Sequence, residues 1–143
     1  MKKFLAFFIF ASIIFLPPLR ASERTMLTYI VASNEGRDFD LDNDAYRDRL
    51  LSLFSYTSYH QVDQAVIELE KNEPQTVDLP GGYEMMLDLQ TIENDRRQIH
   101  AIIRGGGAVY LDTVLSVMKP GVLFIGGPTT PEGVLIIVLE IGF

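Results

Sequence analysis

The chain has 143 residues, no cysteine, and 19 acidic against 12 basic residues, a formal net charge of −7 at pH 7. That length supports one hydrophobic core and not two. Without thiols there are no disulfide staples and no thiol nucleophile. The acidity argues against nucleic acid or anionic lipid as partner, because binding either requires Lys and Arg to neutralise phosphates.

The N-terminus has the layout of a secretory signal. Lys2 and Lys3 precede an unbroken apolar run, Phe4 to Leu16, and Pro17-Pro18 then break any helix before Leu19-Arg20-Ala21-Ser22. Those 13 residues suit a signal core and fall short of the roughly 20 needed to span a bilayer. Cleavage is expected after Ala21, although Leu19 is larger than the small residue favoured three positions before a cut. An uncleaved signal anchor is the rival expectation. Residues 1–21 are thus read as a signal peptide and 22–143 as a single domain, periplasmic or secreted, with no stable membrane span after cleavage. Losing Lys2, Lys3 and Arg20 leaves 9 basic against 19 acidic residues, a net charge of −10. No cysteine is available at the junction for lipid attachment.

Thr25–Ala32 is apolar and β-branched, a first strand. The polar stretch from Ser33 to Asp44 reads as a loop. Tyr46, Leu50, Leu53 and Phe54 then recur at helical spacing, which predicts an amphipathic helix of about three turns. Asp42 or Asn43 is its candidate N-cap, and acidic residues crowd its first turn.

From Tyr56 the period becomes two. Ala65, Ile67 and Leu69 share a face, as do Val77 and Leu79, then Tyr83, Met85, Leu87 and Leu89 after Pro80-Gly81-Gly82. Glu93-Asn94-Asp95-Arg96 is a turn, followed by Ile99, Ala101 and Ile103. Past Gly105-Gly106-Gly107 come Val109, Leu111, Thr113, Leu115 and Val117. Half-polar strands closed by short turns indicate antiparallel hairpins with one wet face. Val122–Ile125 reads as a short strand.

Val134–Leu139 (VLIIVL) shows no alternation and must be covered on both faces; exposed, it would be an aggregation hazard. An opposing sheet on one side and the lone helix on the other supply that cover. The expected fold is therefore mainly β (α+β): a two-layer antiparallel, sandwich-like arrangement with one amphipathic helix packed over a central last strand. A single curved sheet with one helix is the alternative.

Leu50–Tyr59 (LLSLFSYTSY), Gly126-Gly127-Pro128 and Gly133-Val134-Leu135-Ile136 give the chain an outline that resembles a group of small exported bacterial proteins of unknown function. The resemblance spans residues 25–141. It implies a periplasmic or secreted β domain and carries no assigned activity.

Candidate chemistry is thin. Asp38, Asp40, Asp42 and Asp44, with Asp48 beyond, have the alternate spacing that can converge on Ca²⁺, which takes six to eight oxygens. An EF-hand fails, because the twelfth position is Arg49 from Asp38 or Leu51 from Asp40, never a glutamate. A solvated acidic loop leading into the helix is the simpler expectation. His60 and His100 are the only histidines, too few for a zinc site without cysteine. None of Ser52, Ser55, Ser58 and Ser116 sits in a nucleophile elbow. Paired carboxylates for glycoside hydrolysis are a matter of spatial placement, on which spacing is silent.

Tyr56 and Tyr59, with Phe54, Tyr83 and Tyr110, can form either an aromatic platform for a sugar or peptide or an anchor of helix to sheet. Gly105-Gly106-Gly107 is expected to be a hairpin turn, since phosphate-binding glycine loops need a strand-to-helix setting. Gly126-Gly127-Pro128, within the stretch running to Gly133, is expected to be a stiff exposed loop able to present a recognition surface, its glycines taking positive φ. The expected function is a non-enzymatic envelope module that binds a protein or glycan through a sheet edge or loops. A carboxylate-dependent secreted hydrolase and a homo-oligomer built by edge-strand pairing are the alternatives.

Overall fold

The computed structural model describes residues 14–16 and 21–143. Of the expected signal segment, residues 1–13 and 17–20 lie outside the described residues.

Among the described residues, nine strands and one helix follow in the order β1 (Ser22–Ser33), β2 (Phe39–Asp40), α1 (Tyr46–Leu53), β3 (Ser58–Glu70), β4 (Gln75–Leu79), β5 (Tyr83–Glu93), β6 (Arg96–Gly105), β7 (Ala108–Met118), β8 (Gly121–Thr130) and β9 (Gly133–Ile141). They form two layers. One sheet has the order β2-β3-β1-β9-β8 and the other β4-β5-β6-β7. Every pairing is antiparallel except the two-residue match of β2 to β3. The sandwich is thus two separate sheets and not a single curved one.

The last strand is interior, hydrogen-bonded to β1 on one side and β8 on the other. Leu135, Ile137, Leu139 and Ile141 face the four-stranded sheet, where they join Met85, Leu87, Leu89, Ile99, Ala101 and Ile103 in the main core. Ile136 and Val138 point the other way, into a second core under the helix with Tyr46, Leu50 and Tyr59. Leu135 to Leu139 and Ile141 are all at 0% exposure, and full burial of such a side chain contributes roughly 1.5–3 kcal/mol. No other strand among the described residues gathers so much apolar burial.

Several local expectations are corrected. The helix has 8 residues, about two turns and not three. Tyr46 and Leu50 are its buried residues, whereas Leu53 is 52% exposed. Two turns bury only one short stripe, and Leu53 falls off it. Neither Asp42 nor Asn43 caps the helix; Ala45 holds the N-cap position without a side-chain bond. Asn43 instead closes the preceding turn, its Oδ1 accepting from the Ala45 N–H at 3.0 Å. Only Asp48 is acidic in the first turn. The helix is pinned by Arg47 over the Phe39 ring at 4.4 Å and Arg49 over Phe124 at 5.2 Å. The stretch Ser33–Asp44 is not wholly loop, since Phe39 and Asp40 pair with Tyr59 and His60 as β2.

The largest correction concerns residues 126–133. Gly126, Gly127 and Pro128 belong to β8, which runs on to Thr130, and the connection to β9 is only Pro131 and Glu132. Gly126 and Gly127 are absent from the positive-φ glycines. They sit where the register against β9 shifts between Gly126 and Thr129, so small residues and proline mark a bulge. Pro128 is buried in it. Gly105-Gly106-Gly107 is the expected hairpin turn, with φ of 57° and 79° at Gly106 and Gly107, matching the mirror-image turn that suits twisted strands.

Candidate functional site

The two ends of the sandwich are built differently. At one end Glu23 of β1 is drawn inside, 3% exposed, and accepts from Arg97 Nε of β6 at 2.6 Å. Arg97 also donates to the Asn94 carbonyl in the β5–β6 turn. Lys119 brings its Nζ to 3.0 Å from the second Glu23 oxygen, an ion pair that lacks hydrogen-bond alignment. A buried carboxylate is tolerated only when it is paired. The bond from β1 to β6 ties the two sheets together and closes that end.

At the opposite end four chain reversals converge: the end of β1 with the start of β3, and the β4–β5, β6–β7 and β8–β9 turns. This end is open. A hollow of 520 Å³ enters between the sheets, with Val31, Val62 and Pro80 as apolar walls and Ser33, His60 and Glu132 as polar groups. A second, of 390 Å³, shares Ser33 and Glu132 and reaches Glu35 and Tyr56. A third, of 310 Å³, shares Val62 and is bordered by Asp40, Asp42 and Asp63. No Lys or Arg lines any of the three.

The negative field of this end reaches inward. Burial, then the carboxylates of Asp63 and Asp78, push the Tyr29 phenol up to about 12. His60 Nδ1 lies 3.9 Å from Asp40 Oδ2.

A fourth hollow, of 630 Å³, lies at the tips of the β4–β5 and β6–β7 turns and includes Asp78, Glu84, Tyr83 and Arg104. Asp78 and Glu84 are directly opposed across β4 and β5, and Arg104 Nε stands 3.8 Å from Glu84. Tyr83 crosses to the other sheet, its hydroxyl donating to the Thr129 carbonyl at 2.8 Å.

The residues singled out from sequence are scattered by the fold. Tyr59 is completely buried, and its hydroxyl donates at 3.4 Å to the Leu50 and Phe54 carbonyls, so it anchors the helix and presents no platform. Tyr56 is half-buried at the open end, beside Glu132. Gly126 and Gly127 lie along β8, away from those hollows.

Asp38, Asp40, Asp42 and Asp44 are all exposed. Among the described residues no three His, Cys, Asp or Glu side chains gather closely enough to hold a metal ion. Asp42 instead accepts from Gln61 Nε2 at 2.9 Å, fastening the loop to β3. Asp38 is held through its backbone, its N–H donating to Ser58 Oγ and its carbonyl accepting from the Tyr59 N–H.

His100 forms a group that its spacing did not reveal. On the outer face of the four-stranded sheet its Nε2 lies 2.6 Å from Asp112 Oδ1, with Asp88 directly opposite on β5. One Asp88 oxygen is buried without a hydrogen-bond partner. None of the three lines any of these four hollows.

Comparison with known proteins finds no matching family model, no similar curated protein and no similar solved structure. The chain's own geometry has to carry its function. Among the described residues no helix is long and apolar enough to cross a membrane.

Proposed function

We propose that residues 22–143 act after export as a non-enzymatic module of the cell envelope that captures a protein or glycan at the open end of the sandwich. The observation that carries this is the contrast between the ends: one shut by Glu23 and Arg97, the other open, acidic and free of cationic side chains across three adjoining hollows. The space between the sheets is filled by side chains, which leaves recognition to the rim. Glu132 has no ion-pair partner among the described residues, only a 3.5 Å contact from Thr130 Oγ1. Apolar walls beside unpaired carboxylates suit a partner that brings ammonium or guanidinium groups on an apolar body. Of the two partner classes, that chemistry favours a basic protein segment over a neutral glycan.

Export is proposed on the layout of residues 1–21 and on Ile14, Phe15 and Leu16, which at 77, 92 and 79% exposure pack against no part of the domain. N-terminal sequencing of protein from the periplasm or medium is expected to begin at Ser22. With that protein as bait, an envelope component should bind in low salt and be lost with Glu132→Lys or Asp63→Lys. The outer-face variant Gln98→Lys, on the exposed side of β6, should keep it. Binding that ignores both open-end variants would dismiss the site.

A hydrolase is the second reading, and its support is the Asp78–Glu84 pair in the 630 Å³ hollow. A general acid needs a carboxyl held protonated by burial or by a like charge. Glu84 is 48% exposed, with Arg104 Nε of β6 at 3.8 Å, so it lacks that burial. Glycan cleavage abolished by Asp78→Asn or Glu84→Gln would replace binding with catalysis.

A further inference from the structure

The two flanks of the sandwich are defended differently against pairing with other chains. An edge strand offers an unpaired row of N–H and C=O groups, and proteins blunt it with charge, brevity or cover. The flank formed by β3 and β4 follows that rule. β4 has only 5 residues. β3 carries Asp63, Glu68 and Glu70, and its start is covered by β2.

The flank formed by β7 and β8 does not. From Ala108 to Thr130 the charged residues are Asp112 and Lys119, and Lys119 is engaged with Glu23. Val109, Val114 and Met118 are 61, 52 and 45% exposed. Leu111 and Leu115, on the inner face of β7, are only half-buried, whereas Ile99, Ala101 and Ile103 beside them on β6 are wholly buried. Leu123 of β8 is half-buried as well. An apolar seam therefore reaches solvent along this flank.

We infer that β7 is a self-pairing edge: two copies of the chain align their β7 strands antiparallel and join two four-stranded sheets into one of eight. The strand's own sequence selects a second copy as occupant. Between the register shift that sets Tyr110 apart and the strand's end at Met118, the pairing of β7 is regular, and Val114 lies at the middle of that stretch. A two-fold axis at Val114 sets Val114 against Val114 of the second copy. Asp112 then faces Ser116 of the second copy, whose hydroxyl can donate to the carboxylate. On the inner face Thr113 meets Leu115 of the second copy, and Leu111 meets Val117. Moving the axis to Asp112 would oppose two carboxylates, which is unfavourable. Moving it to Ser116 would place Asp112 opposite Pro120, past the end of the strand. Charge complementarity and coverage of the apolar seam thus agree on one register.

Sedimentation of the full chain at micromolar concentration tests this. Wild type is expected to be a dimer. Val114→Lys should weaken it at least about tenfold, because two ammonium groups then face each other where an apolar pair stood. Val66→Lys, on β3 at a site 49% exposed, should leave the dimer unchanged and so controls for added charge and for association through the apolar N-terminus. The chain has no cysteine, so Val114→Cys reports the register directly. It should give a disulfide-linked dimer on mild oxidation, while Ser116→Cys should cross-link only when mixed with Asp112→Cys. The cysteine variants serve also if Val114→Lys fails to fold. A monomeric wild type, a dimer indifferent to Val114→Lys, or a dimer that Val114→Cys does not cross-link would each overturn the inference. So would a monomer that engages a different protein along β7.

Discussion

Glu23 and Arg97 come from different sheets and meet inside the closed end, with side chains 3 and 8% exposed. Removing one member of such a pair strands the other as a buried charge, at a cost of about 3–5 kcal/mol. Arg97→Met should therefore lower the urea midpoint sharply. Lys119→Ala, which removes a side chain 43% exposed, should cost no more than about 1 kcal/mol.

Two tyrosines make a pH test. Tyr29 is raised to about 12 by burial and then by Asp63 and Asp78; Tyr46 is raised to about 12 by burial and then by Glu140, whose carboxylate accepts its hydroxyl at 2.8 Å. Between pH 10 and 12 the unfolded chain releases these protons while the folded protein keeps them. Stability is therefore whole below the ordinary phenol value and falls as pH climbs through the raised one. Unfolding midpoints measured across that window should decline. In Tyr46→Phe the starting stability should be lower by about 1 kcal/mol and the alkaline decline shallower.

At the scale of elements, the helix shows how little of a periodic pattern need be buried. Tyr46, Leu50, Leu53 and Phe54 have helical spacing, yet the helix holds itself down through Leu50, at 0% exposure, and Tyr46, at 4%. Leu50→Ala should cost about 2–5 kcal/mol and loosen the cover over Ile136 and Val138. Leu53→Ala should stay within about 0.5 kcal/mol. Thermal or urea unfolding of the two variants separates a helix anchored at one point from one buried along a full stripe.

The strands were far more legible than the helix. Ala65, Ile67 and Leu69 face inward together, as do Met85, Leu87 and Leu89, because a strand can sink one face only by alternating. The first half of β8 was legible in Val122–Ile125, but its continuation to Thr130 escaped notice because Gly126, Gly127 and Pro128 carry the composition of a loop. What they form is a bulge in a strand whose pairing resumes at Thr129. Short-range composition does not separate a turn from a bulge, since both need small residues and a missing N–H.

Across the whole molecule, pairing and cover vary systematically. β1 and β9 are hydrogen-bonded on both sides and lie within the five-stranded sheet. β2 and β4, with 2 and 5 residues, stand at sheet edges. Hydrogen exchange should accordingly be slowest in β1 and β9 and fastest in β2 and β4, as expected where local opening follows buried contacts. Uniform protection across the sheets would contradict this ordering.

By itself the sequence determined the fold class and the place of its last strand. VLIIVL has no face fit for water, so a layer had to lie on each side of it, and the chain offers a sheet for one and a single helix for the other. The site was decided only by the tertiary structure. Val31, His60, Pro80 and Glu132 are far apart in sequence and share a hollow because three chain reversals, β1 to β3, β4 to β5 and β8 to β9, meet at its mouth. Glu23 reads as one acid among 19 and becomes the bolt of the closed end only when β6 brings Arg97 to it. Burial of a strand is a local property of its side chains, whereas a site depends on distances between strands, which no local pattern encodes.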